Sequence, residues 1–479
     1  MYQRTYYYLR RFAGRYDLVF KEDQRGRPQR CYRKDKLHSS LLTSLLLLTL
    51  STQPLLAQEK SPSPAKEVNA NIATVPRTQQ QVSVPATKRP LTLSDAVSLF
   101  LQQNLQLVAA RYDIDLADAE KLTARLRPNP QFAFTDEDLP LGLSGSFFKQ
   151  QTYSYEISQT FELGGKRGKR IDEANANSEL ARANFEIVLW QLTNDLKKKY
   201  YAVLLAQSLL KLTTDNQKTF EETLKHTNEL YQLGEISGLD LRRLEVEKLK
   251  FDTDVANSER DYELALRDLR VTLGGDYQTM NIETVGTLDY HPYQFSFDDL
   301  RNKSLAARPD LRAARVSERA ANASIRLQDA QRIPDLNLGA GIAQVPSGTS
   351  TYIFDVGITL PWFARNQGER AKALIQKKKA QNDQMLITNQ VLSDVDKALV
   401  DFEIQKRRVE LYRTGVLAKV DDIQNLTEFS LKAGESSIIE LLDAIRTRRE
   451  TLASYYQTLF DYEVSLLDLE LATATPLQK

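Results

Sequence analysis

Residues 169–231 read KRIDEANANSELARANFEIVLWQLTNDLKKKYYAVLLAQSLLKLTTDNQKTFEETLKHTNELY and contain neither glycine nor proline. Apolar side chains recur through this run at helical spacing, for example at Phe185, Leu192 and Tyr200. The pattern predicts one helix from Lys166 to Tyr231, which at about 1.5 Å per residue would extend roughly 100 Å. No single globular core needs so long a helix, so the fold should be mainly α-helical.

The long helix is expected twice, because the sequence matches itself at an offset of about 200 residues. Two pairs of stretches show the match: LTLSDAVSLFLQQNLQL at 91–107 with FSFDDLRNKSLAARPDL at 295–311, and FELGGKRGKR at 161–170 with LPWFARNQGER at 360–370. The second long helix should run from Gln367 to Lys432, interrupted in composition by Gly415. We therefore predict two tandem repeats, at 91–290 and 291–473, and a tail at 474–479.

Each repeat has the same predicted order: an amphipathic helix, a pair of strands, the very long helix, a turn and a return helix. The first helix should begin at a capping residue, Ser94 in one copy and the Asp298/Asp299 pair in the other. It should end where Pro128 or Pro334 cannot continue it. These first helices are expected at 94–127 and 298–332. The turns are expected at Gly234–Gly238 and Gly434–Glu435. The return helices should end at Leu273 and at about Leu471.

The segments between the helices alternate as strands do. One face would carry Phe132 and Phe134, then Tyr153, Tyr155 and Ile157 in the first repeat, and Leu336, Leu338, Ala340 and Ile342, then Tyr352, Phe354, Val356, Ile358 and Leu360 in the second. The second pair is separated by VPSGT at 345–349, a hairpin signal. Apolar residues on one face and polar residues on the other suit strands of an outer-membrane barrel.

Four strands cannot close such a barrel, and an open sheet edge cannot exist in hydrocarbon. If the strands span a membrane, the chain must oligomerise, and a trimer would supply twelve strands, within the usual range of about 8 to 26. The alternative is a soluble repeat protein in which each hairpin caps a helical bundle.

The first 57 residues differ from the rest in charge. They hold 11 of the 64 Lys and Arg but only 4 of the 63 Asp and Glu, so the remainder is mildly acidic. Arg33, Lys34 and Lys36 precede the apolar run 41–56, and Ala57 follows it, the order of a secretory signal. We predict an N-terminal extension plus signal peptide at 1–57 and a flexible Pro-rich leader at 58–90, the alternative being a buried helix or a single anchor.

Composition excludes several classes of function. The chain has one cysteine, three histidines and three methionines, and Cys31 lies in the segment expected to be removed. Zinc-finger and blue-copper sites are therefore nearly excluded, and the near-zero net charge argues against a nucleic-acid binder. Nineteen glycines in 479 residues suit long helices better than a loop-rich enzyme.

The twofold order of helix, strand pair, very long helix, turn and return helix resembles the TolC-like outer-membrane efflux proteins over about residues 91–473. FELGGKRGKR, ARPDL and LPWFARNQGERAKA are similar to the heavy-metal branch, the outer components of cobalt-zinc-cadmium or copper exporters. The resemblance implies a homotrimer with a twelve-stranded outer-membrane β-barrel continued by an α-helical periplasmic barrel. It also implies a periplasmic adaptor (membrane fusion) protein and an inner-membrane resistance-nodulation-division-type pump as partners.

For a duct, the residues that matter should lie at constrictions and docking surfaces. Glu440 and Asp443, at spacing i, i+3 on one helix face, match the acidic pair at the periplasmic mouth of TolC-like proteins, and Asp240 stands at the position equivalent to Glu440. A threefold ring of such carboxylates would favour cations. The ordinary alternative is a solvated helix face.

The two turns resemble the tips onto which adaptor hairpins dock. They comprise Leu233, Gly234 and Glu235 in the first repeat and Ala433, Gly434 and Glu435 in the second. Their glycines suit the positive φ of a helix end. The Tyr and Arg that lock the closed mouth in some relatives correspond here to Leu431 and Ser436, so that lock is not expected.

The remaining candidates are few. Trp362 and Phe363 follow a predicted strand, where a membrane-interface aromatic belt would lie. His226 and His291 have no partner residue at metal-ligand spacing. The sequence also contains no arrangement of a nucleophile and a base and no phosphate-binding loop, so we expect neither a cofactor nor enzymatic activity. The sequence thus favours an outer-membrane exit duct, with heavy-metal cations as cargo. The alternatives are a duct for drugs or organic compounds, or a non-conducting periplasmic coiled-coil scaffold.

Overall fold

The computed structural model describes residues 89–137, 151–275, 280–345, 347–433 and 435–477. The predicted signal segment 1–57, nearly all of the leader and Gly434 lie outside the described residues. The leader prediction is two residues too long, because Arg89–Leu91 forms β1, which pairs in parallel with β4, Ile282–Thr284. No helix among the described residues is long and apolar enough to cross a membrane.

The chain is mainly helical with a small sheet part, as predicted, and its elements follow a similar order twice. In the first repeat α1 spans Leu93–Gln103, α2 Leu105–Arg125, α3 Lys166–Gln232 and α4 Gly238–Leu273; in the second, α5 spans Phe297–Ala307, α6 Pro309–Ala330, α7 Gln367–Leu411, α8 Leu417–Lys432 and α9 Ile438–Thr473. A π-helical turn, Tyr412–Val416, joins α7 to α8 without interrupting the helix, and it contains Gly415. The long helix α3 therefore begins and ends within one residue of the prediction.

The first helix of each repeat is the main correction, because it is two helices rather than one. The first repeat breaks at Asn104 and the second at Arg308, and both residues take an extended backbone conformation (φ −65°, ψ 122° and φ −59°, ψ 123°). The caps also differ from the prediction: Thr92 Oγ1 accepts a hydrogen bond from the Asp95 amide, so the helix begins before Ser94. Ser296, not the Asp298/Asp299 pair, precedes α5.

The strands form one antiparallel four-stranded sheet in the order β2 (Gln131–Glu137), β3 (Thr152–Phe161), β5 (Leu336–Gln344) and β6 (Ser350–Ile358). The central pairing of β3 with β5 joins the two repeats. Leu360, predicted to close the last strand, lies two residues beyond it. The expected hairpin turn is present, with the Val345 amide donating to the Thr349 carbonyl.

Register confirms the predicted two-faced sheet. Phe134 pairs with Tyr155, Tyr155 with Ile342, and Ile342 with Tyr352, so one continuous face is apolar across all four strands. The rings of Phe134 and Tyr155 are 5.1 Å apart, a cross-strand aromatic contact. In the single chain this apolar face is largely exposed, and Phe354 retains 80% of its surface.

The helices are held together mainly at the middle of α3 and in the second half of α7. Tyr200, Tyr462 and Phe402 are almost completely buried there with the aliphatic residues of α1, α4 and α9. The Tyr200 hydroxyl donates to the Leu91 and Val285 carbonyls and so fixes the small β1–β4 sheet to α3. Burial raises the pKa of Tyr200 above its usual value, which keeps this donor protonated. The long helices thus extend in both directions from one shared core.

Candidate functional site

The two helical turns lie side by side, over an apolar cluster that both repeats share. This tip cluster consists of Phe220, Leu244, Phe251, Ile438, Leu441 and Ile445. The rings of Phe220 and Phe251 stack at 4.5 Å, and Arg449 lies 5.4 Å above Phe251 while its guanidinium donates to Asp254 at 2.7 Å. The turns are therefore presented on a packed base.

The exposed parts of the turns are the residues predicted for docking. Leu233 keeps 73% of its surface exposed, and Glu235, Ala433 and Glu435 are also exposed. Gly234 has φ +82°, which confirms the predicted left-handed turn. Both return helices then start at a serine, Ser237 and Ser437.

The acidic candidates begin these return helices, and each already has a local partner. Glu440 completes a capping box: its amide donates to Ser437 Oγ at 3.3 Å, and its carboxylate accepts from the Ser437 amide at 3.0 Å. Asp240 occupies the same position in the first repeat, where it accepts from Ser237 Oγ at 2.7 Å and from Arg243 at 3.2 Å. Helix capping thus accounts for part of the residue choice at both positions.

Asp443 is the more available carboxylate. Its side chain is 67% exposed and accepts a hydrogen bond from Arg446 at 3.2 Å. The first repeat has Arg243 at the equivalent place, which pairs with Asp240 within its own helix turn. Only the second repeat therefore presents two acids on this face.

The residues at the lock positions have structural roles. Leu431 packs against the tip cluster, and Ser436 Oγ donates to the Thr427 carbonyl near the end of α8 at 3.3 Å. Neither side chain offers the phenol or guanidinium that a hydrogen-bond and salt-bridge lock needs.

At the opposite end of the long helices, short loops at 162–165 and 359–366 connect the sheet to α3 and α7. Trp362 and Phe363 lie just after β6 and expose 68% and 90% of their surfaces. Arg332, Arg365 and Arg370 line a cavity of about 250 Å³ beside them, together with Gln367, Ala371 and Leu374. Sequence reasoning identified the aromatic pair but missed the arginines, which are separated by up to 38 positions and converge only in the fold.

The helix breaks were also missed. At the first, Asn104 Nδ2 donates to the Thr272 carbonyl at 2.7 Å and its Oδ1 accepts from the Leu107 amide. At the second, the buried Arg308 guanidinium donates to the Ala472 carbonyl at 3.2 Å, pairs with Asp310 and Asp394, and lies 5.0 Å from the Trp190 ring. The motif ARPDL carries the signal, because Pro309 cannot continue a helix from α5.

Metal-ligand clusters are absent from the described part of the chain: no three His, Cys, Asp or Glu residues converge there. His226 contacts Glu229 at 3.8 Å, and His291 contributes its carbonyl to the Tyr462 hydroxyl. Both histidines have the ordinary surroundings expected from the sequence.

Comparison with known proteins gives a consistent result. Residues 96–275 and 300–475 match the family model described as outer membrane efflux protein. The cobalt-zinc-cadmium resistance protein CzcC of Cupriavidus metallidurans is 26% identical over 359 residues, 75% of this chain and 84% of that protein. The nickel and cobalt resistance protein CnrC of the same organism is 26% identical over 290 residues, 58% of this chain and 68% of that protein.

Among solved structures, the open state of the Neisseria gonorrhoeae MtrE outer membrane channel has a TM-score of 0.66 with this chain. The similarity covers 81% of this chain and 89% of that one at 20% identity. At this identity the likeness concerns the fold alone. It shows that the order of helices and strands described above is that of solved outer membrane channels.

Proposed function

Because the chain belongs to the outer membrane efflux protein family, we propose that it is the outer-membrane exit duct of a tripartite exporter. In this role it passes substrates delivered by an inner-membrane pump and a periplasmic adaptor and performs no bond chemistry. Two observations carry the proposal: the described four-stranded sheet has two unpaired edges, and α2 exposes apolar side chains whose counterparts on α6 are buried.

The sheet is open at β2 and β6, each of which pairs on one side only within the described residues. Its outer face is apolar and exposed, as a lipid-facing surface would be. Pairing β2 of one copy with β6 of the next would satisfy both edges. Three copies would close a sheet of twelve strands.

The helices give an independent indication of the same ring. Inside the chain, α6 packs on α3 through Ala313 and Val316, which lie against Ala183. At the sequence offset of 204, Val316 corresponds to Tyr112 on α2 and Ala320 corresponds to Leu116. Tyr112 and Leu116 are 61% and 65% exposed, although their counterparts are buried. The repeat symmetry thus provides α2 with a partner surface, the α7 helix of the next copy.

This contact would join two different surfaces of neighbouring copies. Three copies would close into a ring if each is rotated by one third of a turn relative to the next. The test is Leu116→Asp, with Gln106→Asp on another face of the same helix as its control. We expect the first variant to lose the heat-modifiable trimer on gels and its single-channel conductance, and the control to keep both. A conducting trimer of Leu116→Asp would contradict the proposed ring contact, and a folded, non-conducting wild-type protein would favour the scaffold.

At the tips, we propose that threefold symmetry places Glu440 and Asp443 around the periplasmic mouth, with Asp240 nearby. The combined Glu440→Gln and Asp443→Asn variant keeps a capping side chain at position 440, so its fold should be retained. Cation preference and block by multivalent cations in bilayer recordings should both fall. Asp422→Asn, an exposed acid on α8, is the control, and unchanged selectivity of the double variant would remove the pair from the pore.

The exposed turn residues Leu233, Glu235, Ala433 and Glu435 are proposed as the surface that receives the adaptor, with Gly234 shaping the first turn. Gly434, predicted for the same surface, lies outside the described residues. As cargo we propose heavy-metal cations, on the resistance functions named for the two relatives. The described residues hold no cluster of soft ligands, so selectivity would lie in the pump or adaptor. A metal and drug sensitivity profile of a deletion strain tests this, and sensitivity to organic compounds alone would favour the alternative duct.

A further inference from the structure

The cavity lined by Arg332, Arg365 and Arg370 is here called the basic cleft, and the proposed ring contact and periplasmic mouth do not involve it. It lies where the turn after α6 meets the start of α7. Three guanidiniums around one cavity would repel one another in the absence of a counter-charge. Each guanidinium also has five N–H groups that need acceptors.

The neighbouring residues accept hydrogen bonds from only some of these N–H groups. Asp329 accepts from Arg370 Nε at 2.5 Å, and Glu369 pairs with Lys372 at 3.4 Å. Arg365 Nε donates to the Pro361 carbonyl at 3.1 Å. Within the described residues the Arg332 side chain has no hydrogen-bond partner, and the terminal nitrogens of Arg365 and Arg370 have none either.

The corresponding junction of the first repeat shows what a satisfied arrangement looks like. Arg170 there makes a two-point pair with Glu162 and also donates to the Leu126 carbonyl, and Arg167 donates to the Arg125 carbonyl. Lys166 pairs with Asp335 at 2.7 Å. The basic side chains of the first junction are therefore used internally, whereas in the second junction the Arg332 guanidinium and the terminal nitrogens of Arg365 and Arg370 have no acceptor among the described residues.

The position of the basic cleft indicates which anion it would meet. Leu360, Trp362 and Phe363, all more than half exposed, lie between the end of β6 and Arg365 in the chain. Aromatic side chains of this kind mark the membrane–water interface, and arginine forks bind phosphate with two parallel hydrogen bonds.

We propose that the basic cleft binds the phosphate of an anionic phospholipid headgroup and so anchors the second repeat at the membrane surface. This inference rests on the proposed function, because only a membrane-spanning sheet brings the cleft to the lipid headgroups. The bound phosphate would accept from Arg332 and from the terminal nitrogens of Arg365 and Arg370. Trp362 and Phe363 would lie beside the upper part of the acyl chains.

The test uses the full-length protein, delipidated in detergent and supplied with equal amounts of phosphatidylglycerol and phosphatidylcholine of the same acyl chains. Native mass spectrometry counts the lipid molecules that each protein retains. The wild type should prefer phosphatidylglycerol, and Arg332→Gln/Arg365→Gln/Arg370→Gln should lose about tenfold of that preference. The control is Arg242→Gln/Arg260→Gln/Arg319→Gln, which removes three exposed arginines elsewhere and should retain it.

Each other outcome has a definite meaning. An unchanged lipid preference in the triple variant overturns the proposal, and so does complete displacement of the lipid by excess inorganic phosphate, which would mark a site for a free anion. If the triple variant does not fold, Arg332→Gln alone should still reduce the preference several-fold, since its side chain supports no other contact. Trimer formation and conductance are measured in parallel. If the wild type forms no trimer and does not conduct, the proposed duct function is contradicted. If it conducts but shows no lipid preference, only the proposed role of the basic cleft is contradicted.

Discussion

The two repeats break their first helix at equivalent positions but use different chemistry. Asn104 and Arg308 correspond at the offset of 204, and each donates to a carbonyl in the last turn of the return helix of its own repeat, Thr272 or Ala472. The last four carbonyls of a helix have no partner within it. The shared backbone plan therefore requires a donor at this place, and an amide or a guanidinium can provide it.

The two donors differ in the other contacts that each side chain makes. Asn104 also caps α2, so both of its hydrogen bonds are made by a neutral side chain. Arg308 carries a charge, is 7% exposed and is balanced by Asp310 and Asp394. The second break is thus a charged network, in which one missing member leaves the others unpaired.

The largest expected effect follows from that network. Arg308→Met keeps much of the apolar stem but leaves two carboxylates without their cation, and we expect a loss of stability of about 3 kcal/mol. Asn104→Ala, which removes one buried hydrogen bond and a helix cap, should cost about 1 to 2 kcal/mol. Denaturant unfolding of the purified proteins measures both, and equal losses would show that the two breaks are energetically alike.

An intermediate effect is expected where the return helices end. Gly274 (φ +83°, ψ −167°) has a conformation almost restricted to glycine, and a Cβ there would collide with the backbone of Gln103 and Asn104. Ala474, its counterpart, has φ +51° and ψ 29°. Gly274→Ala should therefore lose about 1 to 3 kcal/mol, while Ala474→Gly should change stability by less than about 1 kcal/mol. The reverse order in thermal unfolding would contradict this reading of the two ends.

The smallest effect concerns acid stability and exists in one repeat only. Hydrogen bonds from Lys121 and Ser178 lower the pKa of Asp118 to about 2, and the second repeat has the uncharged Asn322 at the equivalent position. A carboxyl whose pKa is lowered by folding stabilises the protein above its ordinary pKa of about 3.8. That contribution is lost as the pH falls toward 2.

Asp118→Asn should flatten the fall in melting temperature between about pH 4 and pH 2. Because the carboxylate is 39% exposed, the change should be modest. Asp113→Asn, an exposed acid on the same helix, is the control. If the melting temperature of Asp118→Asn falls with pH as steeply as that of the wild type, the contact between Asp118 on α2 and Ser178 on α3 does not contribute to acid sensitivity.

Much of the fold was predictable because its signals are local and periodic. A run without glycine or proline predicted α3, the sequence repeat predicted the α7–α8 helix despite Gly415, and alternation predicted the apolar face of the sheet. The breaks at Asn104 and Arg308 were not found, since an asparagine within a helical pattern is unremarkable. The proline of ARPDL marked a break, but the amphipathic pattern on both sides suggested one helix.

The candidate sites divide in the same way. The sequence located Glu440 and Asp443 next to a turn, but it did not show that the Glu440 carboxylate caps its own helix. Trp362 and Phe363 were identified beside a strand end, yet the three arginines near them come from two distant segments. Convergence of that kind has no short sequence signature.

The sequence by itself determined the twofold plan, the length of the helices and the two-faced strands, because each depends on the order of residues within one element. Only the tertiary structure decided which equivalent surfaces are buried in the chain and which are left open. Val316 is covered by α3, whereas Tyr112 is exposed at the corresponding position. The physical reason is that two repeats in one chain make only one of the two contacts that the repeat symmetry offers, so the equivalent surface of α2 is left exposed in the single chain.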